Sequence, residues 1–315
     1  MIKESGNKIS GNDLGFGTKA TLNHQRTLNR DGASNVKRIG LPFFRTTDTY
    51  NALITMGWGR FSLIILVCYI FINIIFASIY VLIGTEHFNG LSGTTEFEKF
   101  LDAFFFSAQT ISTVGYGHIS PNGILTSFVA AFESMMGLLA FALATGLLYG
   151  RFSRPMAKIV YSRNMLIAPY GDGKGLMLRI ANHRSNQLVE VESEVLLTIN
   201  SPDADGKSSR KFYNLSLERK KITLLSLSWT IVHPITYESP LFNLSQKDFE
   251  KGDAEFMVMI KAFDDTFSQT VHSRTSFKSE DIVWSAKFKP VFYPDEDGVL
   301  TLDFSKMDDY ERVQM

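Results

Sequence analysis

The sequence predicts a two-part chain: a helical membrane domain, followed by an all-β sandwich of immunoglobulin-like type. Three observations carry that expectation. Phe61 to Ile83 contains no charged residue over about the 20 residues an α-helix needs to cross hydrocarbon. Leu125 to Tyr149 is a second apolar stretch, and between the two lie a shorter apolar segment and the run Thr113-Val114-Gly115-Tyr116-Gly117. Beyond Arg163 short runs of alternating or β-branched residues recur, punctuated by Gly, Pro, Asp and Ser, as in a sandwich and unlike a βαβ sheet.

The chain has 315 residues, enough for two domains each with a core. Lys and Arg number 32 against 32 Asp and Glu, so no global field points to nucleic acid. Cys68 is the only cysteine, which excludes an intrachain disulfide, and its apolar neighbours fit a core or lipid-facing thiol. Residues 1–37 are expected to be a disordered cytoplasmic tail, because Met1 to about Asn35 is polar and lacks the apolar core of a secretory signal.

Residues 38–60 read as an interfacial region. A short helix from Asp48 to Met56 has Asp48 as N-cap and Tyr50, Leu53, Ile54 and Met56 as apolar positions, with Trp58 following; an irregular lead-in is the plainer reading. Residues 61–155 form the transmembrane domain, with a first span over 61–83. Its one strongly polar side chain, Asn73, faces a neighbouring helix or finds a backbone partner.

The loop from Gly84 to Ser120 holds Glu86, Glu96, Glu98 and Asp102 against Lys99. Lys37, Arg38, Arg45 and Arg60 precede the first span, and Arg151, Arg154, Lys158 and Arg163 follow the second. Positive-inside asymmetry therefore predicts a multi-pass chain with both termini cytoplasmic. Within the loop, 97–112 is a helix too short to cross, packed through Phe100, Leu101, Phe104, Phe105 and Ile111. Irregular backbone at membrane depth is tolerated only where protein buries it or water lines it, so helix, glycine run and return at Pro121 predict a re-entrant loop. The helix C-terminus would aim its negative dipole end at a cation path.

The second span, 125–149, is rich in Ala and Gly; Gly137 reads equally as a hinge or as a packing glycine. Glu133 is its one ionisable residue, read as a hydrogen-bonding support for the short helix. The soluble domain spans 156–306, with strands expected at 176–180, 189–199, 211–217, 224–232, 255–263, 268–276, 282–292 and 299–304, and 307–315 is a tail.

The run 113–117 reads TVGYG, an established potassium-filter sequence applied here as a known template. A dehydrated K⁺ needs about eight oxygens, which stacked carbonyls supply when several copies of one strand face a common axis. Thr113, Val114, Gly115 and Tyr116 offer carbonyls, and Thr113 adds a hydroxyl at the inner end. Gly115 and Gly117 permit the torsions that turn successive carbonyls the same way. K⁺ is then a permeant ion, and no cofactor is expected. A turn in a soluble strand is the alternative for five such residues alone; the flanking spans argue against it.

Weaker signals give little. Gly171–Gly175 lacks phosphate-loop spacing and reads as a β-turn. Asp203–Gly206 lacks the later ligands of a calcium loop and reads as a hairpin turn. His118 is a pH-tuning residue outside the filter or an idle loop residue, and His183, His233 and His272 show no ligand spacing.

The order of surface helix, span, pore loop, span and β-domain resembles the prokaryotic branch of the inward-rectifier potassium channel family. Several stretches carry the resemblance: Ala103–Ser107 before the filter, Arg151-Phe152-Ser153-Arg154-Pro155, Leu176–Arg184, Ser226–Thr230, His233-Pro234 and Glu280–Trp284. It implies a homotetramer around one pore in a prokaryotic inner membrane, gated where the inner helices converge. Tyr149 falls at the cytoplasmic gate, and Phe141 where strong rectifiers carry an acidic residue, so block by Mg²⁺ or polyamines is expected to be weak. Gln109 stands where many relatives have a glutamate, which removes the usual ion pair behind the filter. Arg45, Arg60, Arg151, Arg154 and Lys158 are the implied contacts to anionic phospholipid or phosphoinositide, although positive-inside topology alone also explains them. The rival readings are a ligand-gated two-span channel, which a βαβ pattern would favour, and a membrane-anchored β-sandwich interaction module, which leaves the glycine run without purpose. An enzyme has the least support.

Overall fold

The computed structural model describes residues 26–37, 39–40, 46–153, 157–202 and 208–314. The chain divides into two compact units, one from residue 40 to 154 and one from residue 155 onward together with the N-terminal segment.

The helical unit contains α1 (Thr46–Thr55), α2 (Trp58–Ile83), α3 (Glu96–Ile111) and α4 (Ile124–Phe152). The 26 residues of α2 and 29 of α4 give helices of about 39 and 43 Å, longer than the ~30 Å of a bilayer core. Each runs beyond the expected span, α2 three residues earlier and α4 three residues later. Helix α1 starts at Thr46, two residues ahead of the Asp48 expected as its cap. Helix α3 is opened by a capping box: Thr95 Oγ1 accepts from the Glu98 backbone N–H at 3.2 Å, and the Glu98 carboxylate accepts from the Thr95 and Thr94 N–H groups at 2.9 and 2.8 Å.

A two-residue ladder of β1 (Phe88–Asn89) and β2 (Ser120–Pro121) ties the two arms of the loop together. The core of this unit joins Phe76, Ala77 and Tyr80 of α2 to Ala103 and Phe106 of α3 and Ala130 of α4. Tyr80, Phe88 and Phe106 form a T-shaped trio with centroids 5.2–5.3 Å apart. Most remaining apolar side chains of α2 and α4, such as Leu63, Leu66, Phe71, Leu138 and Leu143, are exposed, as a lipid-facing surface requires.

The β unit is a sandwich of two five-stranded sheets. One contains β3 (Ile159–Tyr161), β4 (Met165–Tyr170), β5 (Gly173–Asn182), β9 (Ser228–Ile235) and β12 (Ile282–Trp284). The other contains β6 (Leu188–Pro202), β7 (Ser208–Asn214), β8 (Lys221–Leu224), β10 (Glu255–Asp264) and β11 (Gln269–Lys278). Inward residues of both sheets, among them Ile167, Leu178, Ile180, Val195, Leu197, Phe256, Val258 and Ile260, share one core. The period-2 alternation is plain in β10, where Phe256, Val258, Ile260 and Ala262 point inward. The helix α5 (Gln246–Lys251) adds Phe249 to that core. Short pairs complete the unit: β13 (Ala286–Phe288) with β16 (Tyr310–Arg312), and β14 (Phe292–Pro294) with β15 (Leu300–Leu302).

Several sequence expectations need correction here. The segment 224–232 is no single strand but breaks between β8 and β9, and 282–292 breaks into β12, β13 and the start of β14. Strand β4 was not expected at all; Met165 to Ala168 is a continuous buried run, so no alternation marks it. The tail at 307–315 includes β16, held by pairing to β13. The disordered tail over 1–37 fails for its second part. Leu28 is buried against Leu196 and Met257. Thr27 N and Oγ1 donate to Glu255, and Arg26 and Arg30 both pair with Asp281. Low hydrophobicity does not prevent order when distant carboxylates and hydroxyls satisfy the backbone. Residues 1–25 and 203–207, with the Asp203–Gly206 turn, lie outside the described residues. Gly171, with φ 54°, makes the tight turn between β4 and β5.

Candidate functional site

The candidate site begins where α3 ends. Three amide groups after the helix remain tied to its last turn: Thr113 N donates to Thr110 O at 3.1 Å, and Val114 N and Gly115 N donate to Gln109 O at 2.9 and 3.2 Å. Positive φ then falls on alternate residues, 60° at Thr113, 50° at Gly115 and 82° at Gly117. A backbone that alternates in this way is the kind that a row of cation-binding carbonyl oxygens requires. Glycine reaches these torsions freely, but a β-branched threonine does not, and a residue so held is strained by about 1–3 kcal/mol. The sequence had singled out the glycines, and missed that Thr113 shares their conformation; residue type carries no sign of it. All five residues 113–117 are exposed in the single chain.

Behind this run the helices are locked. Gly137 of α4 is buried, and a Cβ there would lie 2.1 Å from the carbonyl oxygen of Ile111 at the end of α3. One turn earlier on both helices, the fully buried carboxyl of Glu133 meets the hydroxyl of Ser107 through Oε1, and Tyr80 Oη donates to its Oε2 at 2.6 Å. Ser107 Oγ also lies 2.9 Å from Asn73 Oδ1, and Asn73 Nδ2 donates to Tyr69 O at 2.7 Å. Sequence reasoning found Glu133 and Asn73 as polar residues in spans, but missed Ser107 and Tyr80, which look like ordinary helix residues. Gln109 is half-buried and contributes its backbone carbonyl to residues 114 and 115. Phe141 and Tyr149 on α4 are both 74% exposed in the single chain.

The basic residues fall into three groups. Arg151 is engaged within its unit: Nη1 and Nη2 donate to Leu53 O at 2.5 Å and Met56 O at 2.8 Å, closing the end of α1. Its guanidinium also stacks 4.6 and 4.3 Å from the ring centroids of Trp58 and Phe61. Arg60 and Lys158 are exposed. Arg45 and Arg154 lie outside the described residues. In the β unit, burial pushes the Arg179 guanidinium down to about 10, with the Asp309 carboxylate opposing; it remains a cation over the Phe288 ring.

Two helices long and apolar enough to cross a membrane, joined by a short helix and a run with positive φ at alternate residues, define a channel-like membrane domain. The family described as "Ion channel" matches residues 63–154, and the "Inward rectifier potassium channel C-terminal domain" matches residues 159–315. The inward rectifier potassium channel Kirbac3.1 from Paramagnetospirillum magnetotacticum is 35% identical over 291 residues, covering 92% of this chain and 97% of that protein. Among solved structures, Spo0M, a sporulation control protein from Bacillus subtilis, aligns at 9% identity over 41% of this chain and 50% of its own, with a TM-score of 0.23, too slight a likeness to bear on the fold. The chain belongs to the inward rectifier potassium channel family. It is a membrane ion channel and not an enzyme.

Proposed function

We propose that four copies of this chain surround one pore and that residues 113–117 of each select K⁺. The observation that supports it most is the alternation of φ at Thr113, Gly115 and Gly117, which aims the carbonyls of Thr113, Val114, Gly115 and Tyr116 to one side. One such strand per chain supplies too few oxygens, so a homotetramer follows from the stoichiometry of the ion. Glu133, Gly137 and the Gln109 carbonyl hold the pore helix in place. Both termini are cytoplasmic in a prokaryotic inner membrane, following the charge asymmetry. Tyr149 closes the inner end of the path by dewetting, with the β-domain biasing that gate. An apolar Phe141 gives weak block by Mg²⁺ or polyamines.

Regulation by anionic phospholipid or phosphoinositide fits Arg45, Arg60, Arg154 and Lys158 at about 1 kcal/mol per basic residue. Arg151 contributes to it only through donors not already given to Leu53 and Met56. The deciding experiment is ion flux into liposomes holding the purified full-length protein. K⁺ and Rb⁺ are expected to pass far faster than Na⁺. Equal Na⁺ flux would remove the filter assignment.

A further inference from the structure

Tyr80, Glu133, Ser107, Asn73 and the Tyr69 carbonyl form one buried chain of hydrogen bonds across α2, α3 and α4. Ser107 Oγ has one hydrogen, yet faces two oxygens, Glu133 Oε1 and Asn73 Oδ1. If Glu133 were ionised, Ser107 would donate to it, and Asn73 Oδ1 would oppose a lone pair at 2.9 Å. Turning the Asn73 amide over moves the conflict. Nδ2 would then serve Ser107, and Oδ1 would face the Tyr69 carbonyl at 2.7 Å, again two acceptors. Tyr80 does not relieve it, since its hydroxyl is spent on Oε2. Among the described residues Glu133 has no cationic partner; its polar contacts are these two hydroxyls.

One added proton resolves every contact. We infer that Glu133 is an un-ionised carboxylic acid that donates from Oε1 to Ser107, which donates to Asn73, which donates to the Tyr69 carbonyl, while Tyr80 donates to Oε2. Glu133 is thereby a positioning residue: it fixes α3 at Ser107, one turn before the Gly137–Ile111 contact at the helix end that leads into the filter run. A neutral carboxyl also suits a site whose surroundings offer hydroxyls and an amide rather than countercharge.

The inference rests on the filter reading only for its effect on selectivity, so the test has two independent readouts. In full-length protein at neutral pH, the infrared band of an un-ionised carboxyl C=O should be present in the wild type and absent in E133Q. In liposomes, E133A should lower the K⁺/Na⁺ flux ratio about tenfold or more by taking from Tyr80 its acceptor and from Ser107 its donor. E133Q should restore it, because the amide N–H replaces the acid O–H toward Ser107. A wild type without the band, or E133Q as defective as E133A, overturns the inference. Should E133A fail to assemble, the band and E133Q still decide it. If the wild type passes Na⁺ as fast as K⁺, the filter reading fails, while the band still reports the protonation of Glu133.

Discussion

Glu133 in the helical unit and Glu255 in the β unit both have no exposed surface, yet their surroundings differ completely. Glu255 faces the guanidinium of Arg210 at 3.2 Å and accepts from Thr27 N, Thr27 Oγ1 and Leu28 N. Near it, Lys278 Nζ pairs with Asp253 at 2.9 Å. Glu133 meets two hydroxyls. The contrast reflects what each unit can bring inward. A sandwich edge lets long cationic side chains reach in from strand neighbours while their stems cover the core. Helices whose outer faces meet lipid have no aqueous side to supply a lysine or arginine at that depth, so short hydroxyls and amides do the pairing. Burial of a carboxyl is thus handled by countercharge in one unit and by neutral hydrogen bonds in the other.

Three substitutions test this contrast. Glu255→Ala should be the most damaging, because it strips the buried Arg210 of its carboxylate and the Thr27–Leu28 amides of their acceptor. A loss of about 3–5 kcal/mol is expected in denaturant unfolding of the full-length protein, followed by the fluorescence of Trp229 and Trp284. A loss below about 1 kcal/mol would mean the pair is effectively solvated and the contrast is superficial.

Gly137→Ala comes next. The added methyl meets a backbone oxygen, which cannot swing aside as a flexible side chain can. Overpacking of about 1–3 kcal/mol should appear as a lower thermal midpoint of the tetramer and a smaller K⁺ flux. Unchanged flux and midpoint would show that the helices separate easily there and restore the hinge reading of Gly137.

The smallest effect concerns pH. Burial holds His233 below the ordinary histidine range, opposed by its hydrogen bond to the Ser216 carbonyl. Its ring nitrogens lie 2.6 Å from Ser216 O and 2.7 Å from Ser239 Oγ. Because the folded value is depressed, its contribution is present above the unfolded value near 6.5 and is lost as pH falls through the folded value. The wild type should therefore lose stability between about pH 7 and pH 5, and His233→Asn should show a flatter profile over that range. Parallel profiles would remove His233 as the source.

Much of this was legible from one-dimensional pattern. The spans, the short helix between them and the alternating strands follow from hydropathy and period, because each reports the solvent on one face of a local element. The glycines of 113–117 were legible because their torsions need no neighbour to permit them. The stretch Met165–Ala168 was not, since a strand buried on both faces loses its alternation. Nor was the docking of Arg26–Leu28, whose partners Glu255 and Asp281 stand more than two hundred residues away.

Residue order alone marked the two helices long and apolar enough to cross a membrane, the glycine run between them and the family the chain resembles, since each depends on residue type in a fixed local order. It took the folded chain to show that Thr113 joins Gly115 and Gly117 at positive φ, that a Cβ on Gly137 would meet Ile111 O, that Arg151 is engaged by α1, and that Glu133 and Asn73 both face the one proton of Ser107. Those facts arise where separate helices approach within a few ångströms, and no local pattern encodes the distance between two elements.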